Sequence, residues 1–176
     1  MKQVVNPKWM QPVKMRAIVA HWSAGAHAVS SLDKEHYHII VSGDGEIVKG
    51  DNDISDNVST GDGDYAAHTR GFNTGVIGVS MACMAGAIEN PFNAGRFPMT
   101  RVQWDTMMMV IANLADFYNI PVSPRTILSH AEVQGTLGIQ QRGKWDFTRL
   151  AFDPTVKGAK QCGDRMRREV AAIIAG

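Results

Sequence analysis

The sequence predicts an α/β (or α+β) layer structure, a central mixed β-sheet flanked by a few helices. Three observations predict it. Short apolar, β-branched runs dominate the first half of the chain, one long amphipathic stretch occupies 100–119, and a second closes the chain at about 159–175. The 176 residues, 44% hydrophobic and 20% charged, suit a single domain over 1–176 and exclude disordered and fibrous classes.

The elements follow in order. Arg16-Ala17-Ile18-Val19-Ala20-His21 reads as a buried strand ending at His21, and Trp22 to Gly25 turns the chain. The run from His36 to Val41, the turn Ser42-Gly43-Asp44-Gly45 and Glu46 to Lys49 read as a hairpin. His38 alternates away from Tyr37 in that strand, which gives it the opposite face and a structural role. Asp51 to Asp64 is an acidic loop, and Gly75 to Cys83 is a strand of small and β-branched residues suited to a sheet centre. Thr100 to Asn119 is the clearest helix, with Thr100 as N-cap, Pro121 beyond its end, and an apolar stripe of Met107, Val110, Ile111, Leu114, Phe117 and Tyr118. Met107-Met108-Met109 reads as core filler. The last helix turns Val170, Ile173 and Ile174 inward and its arginines outward.

Charge names no partner. The net balance is +1, but residues 33–64 carry nine acidic and two basic side chains while both ends of the chain are basic. Basic ends could keep the protein near a polyanion, nucleic acid included, but short runs of this kind are usually solvated faces with no partner. Cys83 and Cys162 are too few for a disulfide framework or a four-cysteine zinc module, so they are expected as separate free thiols. No run approaches the ~18 apolar residues of a membrane span. The N-terminal stretch has Asn, Pro and Gln where a signal peptide needs an apolar core, so synthesis in the cytoplasm is expected.

Of six histidines, His21 and His130 sit at the ends of apolar segments, where a rigid scaffold projects side chains into a cleft. Asp146 could add an oxygen. Two histidines and a carboxylate with one open position form a catalytic zinc pattern. No His-Glu-x-x-His helix, phosphate-binding glycine loop or Gly-x-Ser-x-Gly elbow is present. Ser23 and Ser129 are histidine neighbours in sequence only, which does not make a nucleophile–base pair.

Four ordered motifs between Arg16 and Leu150 carry a resemblance. Ile18 to Ala24, then Tyr37 to Val41 with Gly43-Asp44-Gly45, resemble the opening of the zinc-dependent N-acetylmuramoyl-L-alanine amidases, the family of phage lysozyme-type amidases, cytosolic muropeptide amidases and peptidoglycan recognition proteins. Ala67 to Asn73 with Ile77-Gly78-Val79 resemble the middle of these proteins, and Ser129-His130 with Lys144-Trp145-Asp146 resemble their end. The resemblance implies a mixed sheet with one zinc at the floor of a groove, held by His21, His130 and Asp146. It implies catalytic roles for Tyr37 and Lys144, as in the phage type. Cytosolic relatives place a glutamate just after the Ile-Gly-Val strand, where this chain has Ser80. His68, Arg70 and Asn73 would line the substrate groove. Trp22 and Trp145 would flank it, as stacking platforms or as walls.

Two spacings depart from the family. His21 and Tyr37 are 16 residues apart, too few for a full helix. His130 and Asp146 are also 16 apart, which reads as a loop inserted over 132–143 and leaves Glu132 and Asp153 as alternative third ligands. The function implied is hydrolysis of the amide between N-acetylmuramic acid and L-alanine by a phage or prophage endolysin. The expected protein is a monomer that acts on peptidoglycan or muropeptides, binds neither nucleic acid nor membrane, and reaches the wall through a holin-type pore. A non-catalytic peptidoglycan-binding module and a cytosolic muropeptide-recycling amidase are the alternatives.

Overall fold

The apolar run at the start of the chain forms β1 (Ala17–Trp22), with every residue buried. The computed structural model describes residues Met1–Gly176. β1 is flanked by two parallel partners, β4 (Val76–Met81) and β5 (Ile127–Ser129). β2 (Ile39–Val41) extends the sheet beside β4, and β3 (Ile47–Lys49) closes that edge as the antiparallel half of the expected hairpin. The order is β3-β2-β4-β1-β5, a mixed five-stranded sheet.

Alternation along β1 assigns its two faces. Ile18, Ala20 and Trp22 join the large core, covered by α2 (Arg101–Phe117) and α4 (Ala159–Ala175). Ala17 and Val19 face a smaller cluster with Phe72, Val76, Leu128 and Val133. His21 continues that second row at the carboxyl end of the strand, its register partner being Ser80. Buried amides tie the layers together. Gln103 donates to the Val41 and Ala82 carbonyls, and Asn113 accepts from the Val4 and Val5 N–H groups.

Several local expectations are corrected. His36 and Tyr37 lie outside the strand, because a Ser30–Asp33 capping box starts a short helix, α1 (Ser31–His36), which Tyr37 caps. His38 therefore does not alternate against a strand tyrosine. It sits over Gly78 on the same side as His21, 5.8 Å from the His68 ring. The acidic 51–64 stretch contains a 3-10 helix, Ile54–Val58, whose buried Asn57 bonds His38. Phe117 is exposed, at the last position of α2. Arg167 of α4 points inward and is buried, and the supposed insertion after His130 is a helix, α3 (His130–Leu137), stopped by Gly138 at φ 72°. A residue with a Cβ rarely adopts that angle, so glycine suits the stop. Cys83 and Cys162 are buried free thiols. No helix is long and apolar enough to cross a membrane.

His38 yields a pH prediction. Gly78 N–H donates to its Nδ1 at 3.0 Å and its Nε2 bonds Asn57 Oδ1 at 2.9 Å, so both ring nitrogens are used in the neutral form. Burial lowers its pKa from 6.5 to about 4, against hydrogen bonds that raise it. The unfolded chain thus takes up a proton near pH 6.5 that the folded chain refuses until about pH 4. The stabilisation is complete above the higher value and is lost as pH falls toward the lower one, at about 1.4 kcal/mol per pH unit. Urea unfolding of chelator-treated protein should show this slope or a steeper one. A flat profile between those limits would contradict it.

Candidate metal centre

The carboxyl ends of the parallel strands are where an open α/β sheet presents functional groups. His21 is the next-to-last residue of β1, just before Trp22, and His130 opens α3 directly after β5. Asp146 comes from the following loop, anchored where its carbonyl accepts the Ala131 N–H at 2.8 Å. His21 and His130 stack edge to face at 4.7 Å between ring centroids. Asp146 Oδ2 lies 3.2 Å from His21 Nδ1 and 3.4 Å from His130 Nδ1. All three residues are buried, and their donor atoms fall within 4.8 Å of one another.

The protonation states suit a cation. Burial chiefly lowers His21 to a pKa of about 4, so it is neutral near pH 7. Burial works to raise Asp146, but hydrogen bonds and charge from the two histidines outweigh it and hold the carboxyl below its ordinary value. A neutral imidazole, a second histidine and a carboxylate match a metal with mixed nitrogen and oxygen preferences. Tetrahedral bonds of ~2.05 Å put ligand atoms ~3.3 Å apart. The distances to Asp146 Oδ2 already equal that edge, so the three residues fit such an ion.

A cleft of about 740 Å³ opens above this floor, lined by Trp22, Tyr37, His68, Arg70, Asn73, Lys144 and Trp145 among others. The Tyr37 ring stands 5.1 Å from His21. Burial, aided by the nearby Asp146 charge, pushes its phenol well above the ordinary range, so it keeps its proton at neutral pH. Lys144 is exposed on the rim beside Arg70 and Arg142. Trp22 is buried against Trp145 at 4.7 Å and Phe147 at 5.8 Å, and so acts chiefly as a wall. Asn73 turns its carboxamide oxygen back to the His68 and Thr69 N–H groups, shaping the loop. His68 is also directed inward, 3.2 Å from His21 Nε2.

The alternative ligands lie elsewhere. Glu132 bonds Arg167 and the Ser129 N–H, and Asp153 pairs with Arg165. Gln141 was not among the residues expected at the site, yet its Oε1 lies 3.0 Å from His130 Nε2. It has no local motif that could have flagged it.

A family model described as N-acetylmuramoyl-L-alanine amidase matches residues 11–147. The chain belongs to that family. The amidase also resembles solved structures at the level of fold. A mutant of PlyL aligns with 14% identity over 90% of this chain and 86% of its own, at a TM-score of 0.50. The N-acetylmuramoyl-L-alanine amidase LysC from Clostridium intestinale URNW aligns at 16% identity over 77% and 80%, with a TM-score of 0.48. The endolysin of Thermus scotoductus MAT2119 bacteriophage Ph2119 aligns at 17% over 74% and 76%, with a TM-score of 0.45. A comparison with curated protein sequences returns no match. The amidase thus has a family, a mixed sheet and a cluster able to hold a metal, in agreement with the resemblance read from its motifs.

Proposed function

We propose that this amidase cleaves the amide between N-acetylmuramic acid and L-alanine in cell-wall peptidoglycan, using one zinc held by His21, His130 and Asp146. The observation that carries this reading is the convergence of two imidazole nitrogens on one carboxylate oxygen at the floor of the cleft. Zinc there supplies Lewis-acid chemistry, polarising a carbonyl and making water acidic enough to attack near neutral pH.

The chain's own residues do the remaining work. Tyr37 keeps its proton, so its O–H can donate a hydrogen bond that orients the attacking water or passes a proton to the leaving nitrogen. Lys144 brings a positive charge from the rim to the carbonyl oxygen as negative charge develops on it. Trp22 and Trp145 close one wall and exclude water, while Arg70, with His68 and Asn73 behind it, borders the sugar–peptide groove. Ser80, buried beside His21, offers no carboxylate where cytosolic relatives carry one, which favours the tyrosine–lysine route. Arrival at the wall through a pore made by another protein, as for a phage lysin, belongs to the same reading.

The purified chain should clear bacterial walls, release new N-terminal alanine, and lose both activities to a chelator. A binding module would instead pellet with walls and clear nothing. Lys144→Ala should keep its zinc and lose about a hundredfold in turnover, the scale for removing one oxyanion donor. Tyr37→Phe should bind walls normally and turn over slowly. If the zinc-loaded protein releases no alanine, the proposal fails.

A further inference from the structure

The main cleft is continued by a second hollow, of about 510 Å³, that the proposed reaction leaves unused. The two share His130, Gln141, Gly143 and Lys144, so they meet at the proposed reacting centre. The wall between them is fixed. Gln141 spends its NH₂ group on the carbonyls of Arg70, at 2.9 Å, and Ile139, at 3.4 Å, which ties the segments that border the wall together.

The two sides of the wall differ in charge. Arg70 and Arg142 line the main cleft, both exposed and neither in an ion pair, and the only carboxylate lining that cleft is Asp146 at its floor. The second hollow has no carboxylate and a single cation, Lys144, on the shared edge. Its remaining polar side chains are the carboxamides of Gln134 and Gln140. Gln134 accepts the Gln141 N–H through Oε1 at 2.9 Å, which leaves its NH₂ group free. Gln140 is exposed, and its side chain bonds nothing within the protein. A carboxamide carries a donor and an acceptor, the pair that hydroxyl and acetamido groups require. The apolar lining is Ala131 alone, too little to grip a peptide side chain.

Gly135 shows that this surface is kept open. It lies inside α3, where glycine is the poorest helix former after proline. Its backbone is helical, and a Cβ there would meet no atom within 4 Å. Neither conformation nor packing therefore calls for glycine, in contrast with Gly138 and Gly143, whose φ angles of 72° and 61° do. The missing side chain keeps the hollow itself clear.

We infer that this hollow is a subsite for the neutral glycan strand adjoining the muramic acid whose amide is cleaved. The inference rests on the amidase reading above, which supplies a substrate with two unlike arms. The peptide arm ends in a carboxylate and suits the side that bears Arg70 and Arg142. The glycan arm is neutral, because the one carboxyl group of muramic acid is consumed in the scissile amide. Its hydroxyl and acetamido groups match the free carboxamides, and its flat rings suit a floor without side chains.

Two experiments on the full-length protein test this. The first compares substrates with the same peptide, one carrying muramic acid alone and the other a strand of four sugars. Wild type should favour the strand. Gly135→Phe, which fills the hollow and leaves the metal cluster untouched, should lower kcat/KM on the strand about tenfold relative to the monosaccharide, the scale of one or two lost hydrogen bonds. Gln140→Ala should lower the same ratio by less. The second experiment uses a β-1,4-linked tetramer of N-acetylglucosamine, which carries no lactyl amide. It should shift the side-chain amide signals of Gln134 and Gln140 in ¹H–¹⁵N spectra of wild type, and leave the Gln140 signals of Gly135→Phe in place. An unchanged ratio in Gly135→Phe, a loss that follows peptide length in place of sugar number, or unshifted signals in wild type would overturn the inference. If wild type cleaves neither substrate, the amidase reading falls, and the tetramer spectra still decide what the hollow binds.

Discussion

Asp146→Asn should leave a folded protein that neither retains zinc nor hydrolyses walls. The carboxylate supplies the only anionic oxygen at the cluster, and its Oδ2 is shared by both histidines, at 3.2 and 3.4 Å. An amide of the same shape removes the charge. Zinc affinity should fall by more than the ~100-fold that loss of an outer partner costs. Clearing should drop to background, while the metal-free melting temperature stays near wild type. Elemental analysis, chelator competition and wall clearing read the three effects separately. Asp153→Asn should keep zinc, because Asp153 is paired with Arg165 and not with the cluster. Stoichiometric zinc in Asp146→Asn would remove this residue from the ligand set.

The parts of this site legible in the sequence are those fixed by short-range pattern. A β-rich run ending in His21 and another leading to His130 had to present those rings at strand ends, and Gly43-Asp44-Gly45 had to close a hairpin. The long helix was legible because its caps and its apolar rows agree. What was hidden depends on contacts distant in sequence or on polar local chemistry. α1 is started by Ser30 and Asp33, and its sequence, Ser31 to His36, has almost no apolar period to see. α3 mixes Glu132, Gln134, Gly135 and Thr136, so its weak pattern resembled a loop although its end is a plain glycine stop. The inward turn of Arg167 is set by a carboxylate 35 positions away, and the grip of Gln141 on His130 has no local signature at all. Ligands can be read from residue type and position, whereas the groups that orient them become visible only when the chain is closed.

Arg167→Met should be the most destabilising single change away from the cleft. Arg167 is 7% exposed, and its guanidinium donates to Glu132 Oε1 at 2.9 Å, Glu132 Oε2 at 3.1 Å, Ile127 O at 3.0 Å and Asp164 Oδ1 at 2.8 Å. Glu132 is 6% exposed and spends Oε2 on the Ser129 N–H as well, fastening β5 to the first turn of α3. Gly163 of α4 leaves the space that Glu132 needs, since a Cβ there would overlap its carboxylate. Removing the arginine strands a buried carboxylate and should cost about 3–5 kcal/mol in urea unfolding, because the desolvation of Glu132 is then uncompensated. Adding Glu132→Gln should return much of that loss, since the neutral amide still offers an oxygen to Ser129 and carries no charge to strand. Glu132→Gln alone should be destabilising for the mirror reason while keeping its zinc, which sets it apart from Asp146→Asn. His130 follows Ser129 directly, so the same ion pair that locks α4 to the sheet also holds the segment bearing a proposed ligand. Additive losses in the double variant would show that the pair is not coupled and that α4 is held chiefly by its apolar face.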